Sequence, residues 1–138
     1  MTIYGCFDSK DALLEAVVAR ALQVSPVKGT HEDWPLALSE VLVTMYASLR
    51  RRPAVAMLLV THSLDGPWMA AVRDRLLALI EPAGLGPNRS VDAISALVNY
   101  VIGTALVGSG RGSKASSDAF AFGLGLLVDG LRRAAEEG

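Results

Sequence analysis

Between Ala93 and Gly110 the chain carries no charged side chain. Its apolar residues recur at helical spacing, with Ile94, Leu97, Val98, Val101, Ile102 and Ala105 on one arc. The opposite arc holds small or neutral groups, and a helix without a charged face must be covered on both sides. The segment from Phe120 to Leu131 repeats the pattern. Phe120, Leu124, Leu127, Val128 and Leu131 share one face at 100° per residue, while Phe122 and Leu126 fall well outside it and only Asp129 interrupts the back. A chain of 138 residues offers one core of ordinary size. The second side of these two helices is therefore expected to meet a copy of the chain. Two antiparallel helices from each protomer make a four-helix dimer interface, expected to use Val98, Ile102, Phe120, Phe122, Leu124, Leu127 and Leu131. Gly103, Gly123 and Gly125 would permit close approach. The alternative is a monomer core that wraps both sides.

The rest of the chain is punctuated as helices, and no strand-like alternation persists. Asp8-Ser9 can cap a helix starting near Lys10, with Leu13, Leu14, Val17, Val18, Ala21 and Leu22 as its stripe. Asp33 can cap a second helix to about Arg51, whose apolar face is Leu38, Leu42, Met45, Tyr46 and Leu49. Pro53 opens a short helix through Leu64, and another runs from Pro67 to Glu81 with Trp68, Met69, Val72, Leu76, Leu79 and Ile80 inward. After the Pro82–Pro87 turn comes the uncharged helix, then an expected flexible linker, Gly108–Ser117, and a last helix from Asp118 to about Ala135. The expected fold is all-α, a bundle of about six helices.

Composition narrows the function. Apolar residues make up 51% and charged residues 20%, which excludes an intrinsically disordered chain. The formal net charge of −1 leaves no surplus for the basic face of a duplex-DNA binder. A single cysteine, Cys6, excludes an internal disulfide framework and points to a reducing compartment. The start has no basic and apolar leader pattern, and the uncharged run is too polar for a bilayer span, so the expected location is the cytoplasm without a membrane partner. His31, His62 and Cys6 have no metal-ligand spacing, and no residues are arranged for nucleophilic or acid–base catalysis. No metal, cofactor or enzymatic activity is expected.

The opening Thr2-Ile3-Tyr4-Gly5-Cys6-Phe7-Asp8-Ser9-Lys10-Asp11-Ala12-Leu13 resembles the signature of the tetracycline-repressor family of transcriptional regulators, matching at Thr2, Tyr4, Phe7, Lys10 and Leu13. It departs at Cys6, where the family usually has His. The likeness continues through Asp33-Trp34 and Leu49-Arg50-Arg51-Arg52, through Asp92–Leu97 with Gly103 and Leu106, and through Asp118-Ala119-Phe120, Gly123-Leu124, Leu127 and Gly130-Leu131. The resemblance implies that residues 1–9 are a remnant of the DNA-recognition helix and turn, and residues 10–138 a ligand-binding and dimerisation domain. It also implies phosphate contacts from Thr2, Tyr4 and Lys10, groups whose chemistry suits phosphate oxygens. Most of the helix-turn-helix is expected to be missing, and a chain without it cannot place a recognition helix in the major groove.

The expected ligand pocket is built on Met45, Met57, Leu58, Trp68, Asn99 and Tyr100. Asn99 and Tyr100 are polar groups in an otherwise apolar helix, and a buried amide needs a partner that a ligand could supply. Asn99 also resembles a pocket-side histidine of the family's namesake. Its magnesium-binding histidine falls at Leu58 and a pocket asparagine at Val41, both apolar here, so a magnesium–tetracycline chelate would lack partners. The expected effector is a different small, largely apolar molecule with one or two hydrogen-bonding groups. The expected function is the effector-binding and dimerisation part of a repressor, partnered by a second copy and, through the missing helices, by operator DNA. The alternative is a naturally truncated dimerisation or small-molecule-binding protein without DNA-binding activity.

Overall fold

The computed structural model describes residues 33–61, 70–107 and 113–137. Five helices and one 3-10 turn account for nearly all of them: α1 Trp34–Arg51, α2 Pro53–Thr61, α3 Ala70–Ile80, the turn Glu81–Ala83, α4 Pro87–Val107 and α5 Ser113–Glu137. No strand occurs among the described residues. The all-α architecture is as expected. The helix expected from Lys10 lies outside the described residues, as do Thr2, Tyr4, Lys10 and Trp68.

Each boundary has a local cause. Pro35 stands in the first turn of α1, where its missing N–H would be unpaired anyway. At the other end the Arg52 N–H donates to the Leu49 carbonyl at 3.1 Å, and Pro53 then opens α2. Pro82 follows α3, and Gly84 at φ +70° closes the 3-10 turn by donating its N–H to Glu81 O at 3.1 Å. A side chain at Gly84 would be strained in that left-handed conformation. The last helix begins at Ser113 rather than Asp118, so the second half of the expected linker is helical. Serine is a modest helix former, but Ser116 is buried, and packing overrides so weak a preference.

α1 lies at the centre and packs against α2, α3, α4 and α5. Its inward face, Leu38, Val41, Leu42, Met45, Tyr46 and Leu49, meets Ala56 and Leu59 of α2, Val72, Leu76 and Ile80 of α3, and the Ile94–Ala105 arc of α4. Alone among the described helices, α4 is long and apolar enough to cross a bilayer, a correction to the sequence reading. Its apolar arc, Ile94, Leu97, Val98, Val101, Ile102 and Ala105, is buried on the other helices.

Phe120, Leu124 and Val128 bring α5 onto this core. This separates the two sides of the last helices. Val98, Ile102, Phe120 and Leu124, expected at a dimer interface, are at most 3% exposed in the single chain and belong to its own core. Leu131 is partly buried against the same core. Periodicity sorts residues into faces but does not say which face the monomer covers. Facing outward are Phe122, 72% exposed, Leu126, 62% exposed, and Leu127 on α5, with Val107 on α4.

Candidate functional site

Three aromatic rings tie α1, α4 and α5 together. Phe120 stacks on Tyr46 with ring centroids 3.9 Å apart and planes 8° from parallel. Tyr100 stacks on Phe120 at 5.4 Å, and its hydroxyl donates to the Phe120 carbonyl at 3.0 Å. That carbonyl accepts a hydrogen bond from another helix because Gly123 lets the phenol pass: a Cβ built there would overlap the Tyr100 hydroxyl. Thr104 Oγ1 donates back to the Tyr100 carbonyl at 2.6 Å, one turn earlier in α4. Tyr46 is the exception. Its hydroxyl is buried without a hydrogen-bond partner among the described residues, a condition that costs about 1–3 kcal/mol when nothing else reaches it.

Two clefts flank the stack and share Tyr46 as a wall. The first, between α4 and α5, encloses about 310 Å³ and is lined by Tyr46, Asn99, Tyr100, Gly103, Thr104, Val107, Ser116 and Ala119. The second, between α1 and α5, encloses about 350 Å³ and is lined by Val43, Tyr46, Ala47, Arg50, Arg51, Ser117, Phe120 and Ala121. Both are at the small end of ligand pockets, which run from about 300 to 1,000 Å³. The first is mostly apolar with a carboxamide at its edge. In the second, the Arg50 guanidinium lies over the Tyr46 ring, 5.9 Å from its centroid.

Of the expected pocket residues, the structure brings Asn99 and Tyr100 together in the α4–α5 cleft. Asn99 is exposed there rather than buried, because it falls on the outward arc of α4 with Gly103 and Val107. Met45 belongs to the core, Leu58 packs partly against it, and Met57 is 52% exposed on α2. None of these three lines either cleft. Met45 packs where an apolar residue on the inner face of α1 must. Tyr46, Thr104 and Ser116 line the α4–α5 cleft without having been expected there. The available signal was Tyr46 itself, a hydroxyl on an otherwise apolar face. Among the described residues no cluster of histidine, cysteine and carboxylate side chains could hold a metal ion.

The family described as "Tetracyclin repressor-like, C-terminal domain" matches residues 26–113, which span α1 to α4 and reach the start of α5. Comparison with curated proteins and with solved structures gave no match.

Proposed function

The chain belongs to the tetracyclin repressor-like C-terminal domain family, whose members are the effector-binding and dimerisation parts of transcriptional regulators rather than catalysts, and from that premise we propose that its α4–α5 cleft takes the effector and the outward α4–α5 face takes a second copy. The observation that carries this reading is that cleft and face are built on the same two helices. Ala119 lines the cleft and stands one and two turns before the outward Phe122 and Leu126. Val107, in the cleft wall, is 79% exposed. A second copy seated on this stripe would border the cleft, so a ligand there acts on the packing of two protomers.

The effector is a small, largely apolar molecule with one or two hydrogen-bonding groups, one of them for Asn99. Neither Thr104 nor Tyr100 has its hydroxyl proton spare, since each already donates to a backbone carbonyl. In the complete regulator, the ligand changes the relative position of the two DNA-binding parts, and fixed half-site spacing converts that change into operator affinity. The sense is repression relieved by ligand. The DNA-contacting groups are Thr2, Tyr4 and Lys10.

The test is operator affinity of the complete regulator at saturating effector. Coupling of a useful size changes it by about 5–150-fold, and Asn99→Ala weakens effector binding about tenfold, the worth of one hydrogen bond. An effector that binds the cleft while operator affinity stays constant contradicts the reading.

A further inference from the structure

The α1–α5 cleft shares Tyr46 with the cleft that holds Asn99, but the rest of its lining and its chemistry differ. Two guanidinium groups, Arg50 and Arg51, stand beside Val43, Ala47 and Ala121, with Phe120 and Tyr46 as aromatic walls and the Ser117 hydroxyl opposite. Arginines in the last turn of a helix ordinarily offset the negative end of the helix dipole. That role does not require them to border an apolar-walled cleft. A second, independent feature points to an occupant. Tyr46 is 4% exposed, and its hydroxyl is the buried side-chain polar atom left without a partner among the described residues.

We propose that the α1–α5 cleft is a binding site for a small amphiphilic organic anion, an aryl or short acyl carboxylate. The carboxylate meets the guanidinium groups of Arg50 and Arg51, and one of its oxygens accepts the Tyr46 hydroxyl proton. The apolar body lies against Val43, Ala47 and Ala121. Arg50 lies over the Tyr46 ring, 5.9 Å from its centroid, so one of the two cations already stands beside the phenol. A bare inorganic anion would use the arginines and leave the apolar walls empty, which is why the ligand carries a hydrocarbon part. Planar guanidinium groups favour the two-oxygen carboxylate geometry. The site shares the Tyr46 wall with the effector cleft, but its two arginines and its apolar lining are its own, so it does not rest on the effector reading.

Titration of the 138-residue chain with benzoate, benzamide and inorganic phosphate, followed by calorimetry, tests this. Benzoate should bind saturably, with benzamide and phosphate each at least tenfold weaker. The Arg50→Gln/Arg51→Gln double variant should lose at least tenfold in benzoate affinity. Tyr46→Phe should also bind benzoate more weakly while melting no lower than the parent, since it removes an unpartnered hydroxyl and keeps the stacked ring. Asn99→Ala, in the other cleft, should leave benzoate binding unchanged. Absence of benzoate binding at millimolar concentration would overturn the proposal. So would equal binding of phosphate, or affinity that survives loss of both arginines.

Discussion

Replacing Phe122 and Leu126 together by glutamate is expected to leave the chain folded and monomeric at concentrations where the parent is a dimer. Both side chains are more than half exposed in the single chain, so their loss removes little of the monomer's own core. In the proposed dimer each would be buried twice, once per protomer, and fully burying one apolar side chain of this size is worth about 1.5–3 kcal/mol. Four such side chains lost, with four carboxylates set against one another, outweigh the affinity of most non-obligate dimers. Sedimentation velocity should give the mass of one 14.5 kDa chain for the variant and about twice that for the parent, with the same helical circular dichroism. Equal masses for the two proteins would remove this face from the account. The same change at Phe120 and Leu124 should instead unfold the chain, because those two are core.

Gly123→Ala is the second large effect, and it comes from one methyl group. The added carbon would occupy the place of the Tyr100 hydroxyl, so either the phenol swings away from the Phe120 carbonyl or α5 moves off α4. Overpacking of this kind costs about 1–3 kcal/mol. For a domain of this length that corresponds to a melting temperature lower by several degrees, about 2–8 °C. Tyr100→Phe removes the oxygen that the methyl group meets, so the double variant should lose less stability than the sum of the single variants. Strict additivity in denaturant unfolding would show that the phenol does not occupy the space beside Gly123. Alanine at Gly103 or Gly125 makes the matched control, since a Cβ at either meets nothing within 4 Å in the single chain.

Much of the bundle was legible in the sequence because its helices are separated by residues with only one reading. Pro53, Pro82 and Gly84 break the chain where their backbone chemistry requires, and the faces of α1 and α4 follow the 3.6-residue period without exception. Ser113–Ser117 was read as linker because five small and polar residues carry no periodic signal. What makes them helical is the burial of Ser116 against neighbours far away in sequence. The two-sided character of α4 and α5 was legible, but not which side belonged to the monomer. Phe120 and Phe122 look alike in composition, and only the position of Tyr46 and Tyr100 decides that Phe120 turns inward.

The candidate site was legible only in part, for the same reason. Asn99 and Tyr100 announced themselves as polar groups in an apolar run, and both line the α4–α5 cleft. Met45 and Met57 carry no such signal. A thioether packs equally well in a core or a pocket, and these two proved to be core and surface respectively. Tyr46 was hidden by its own apolar ring. Its hydroxyl acquires meaning only once the helices that surround it are placed and none supplies a partner.

On the proposed reading, the outward faces of α4 and α5 are both the meeting place of two protomers and the border of the effector cleft. Amide hydrogen exchange, followed at two protein concentrations on either side of dimer dissociation, tests it most directly. Concentration-dependent protection is expected only in the stretches around Ala96–Val107 and Ala115–Leu126, with α2 and α3 unchanged. Protection that instead appears on α2 or α3, or no change at any concentration that gives a dimer, would contradict it.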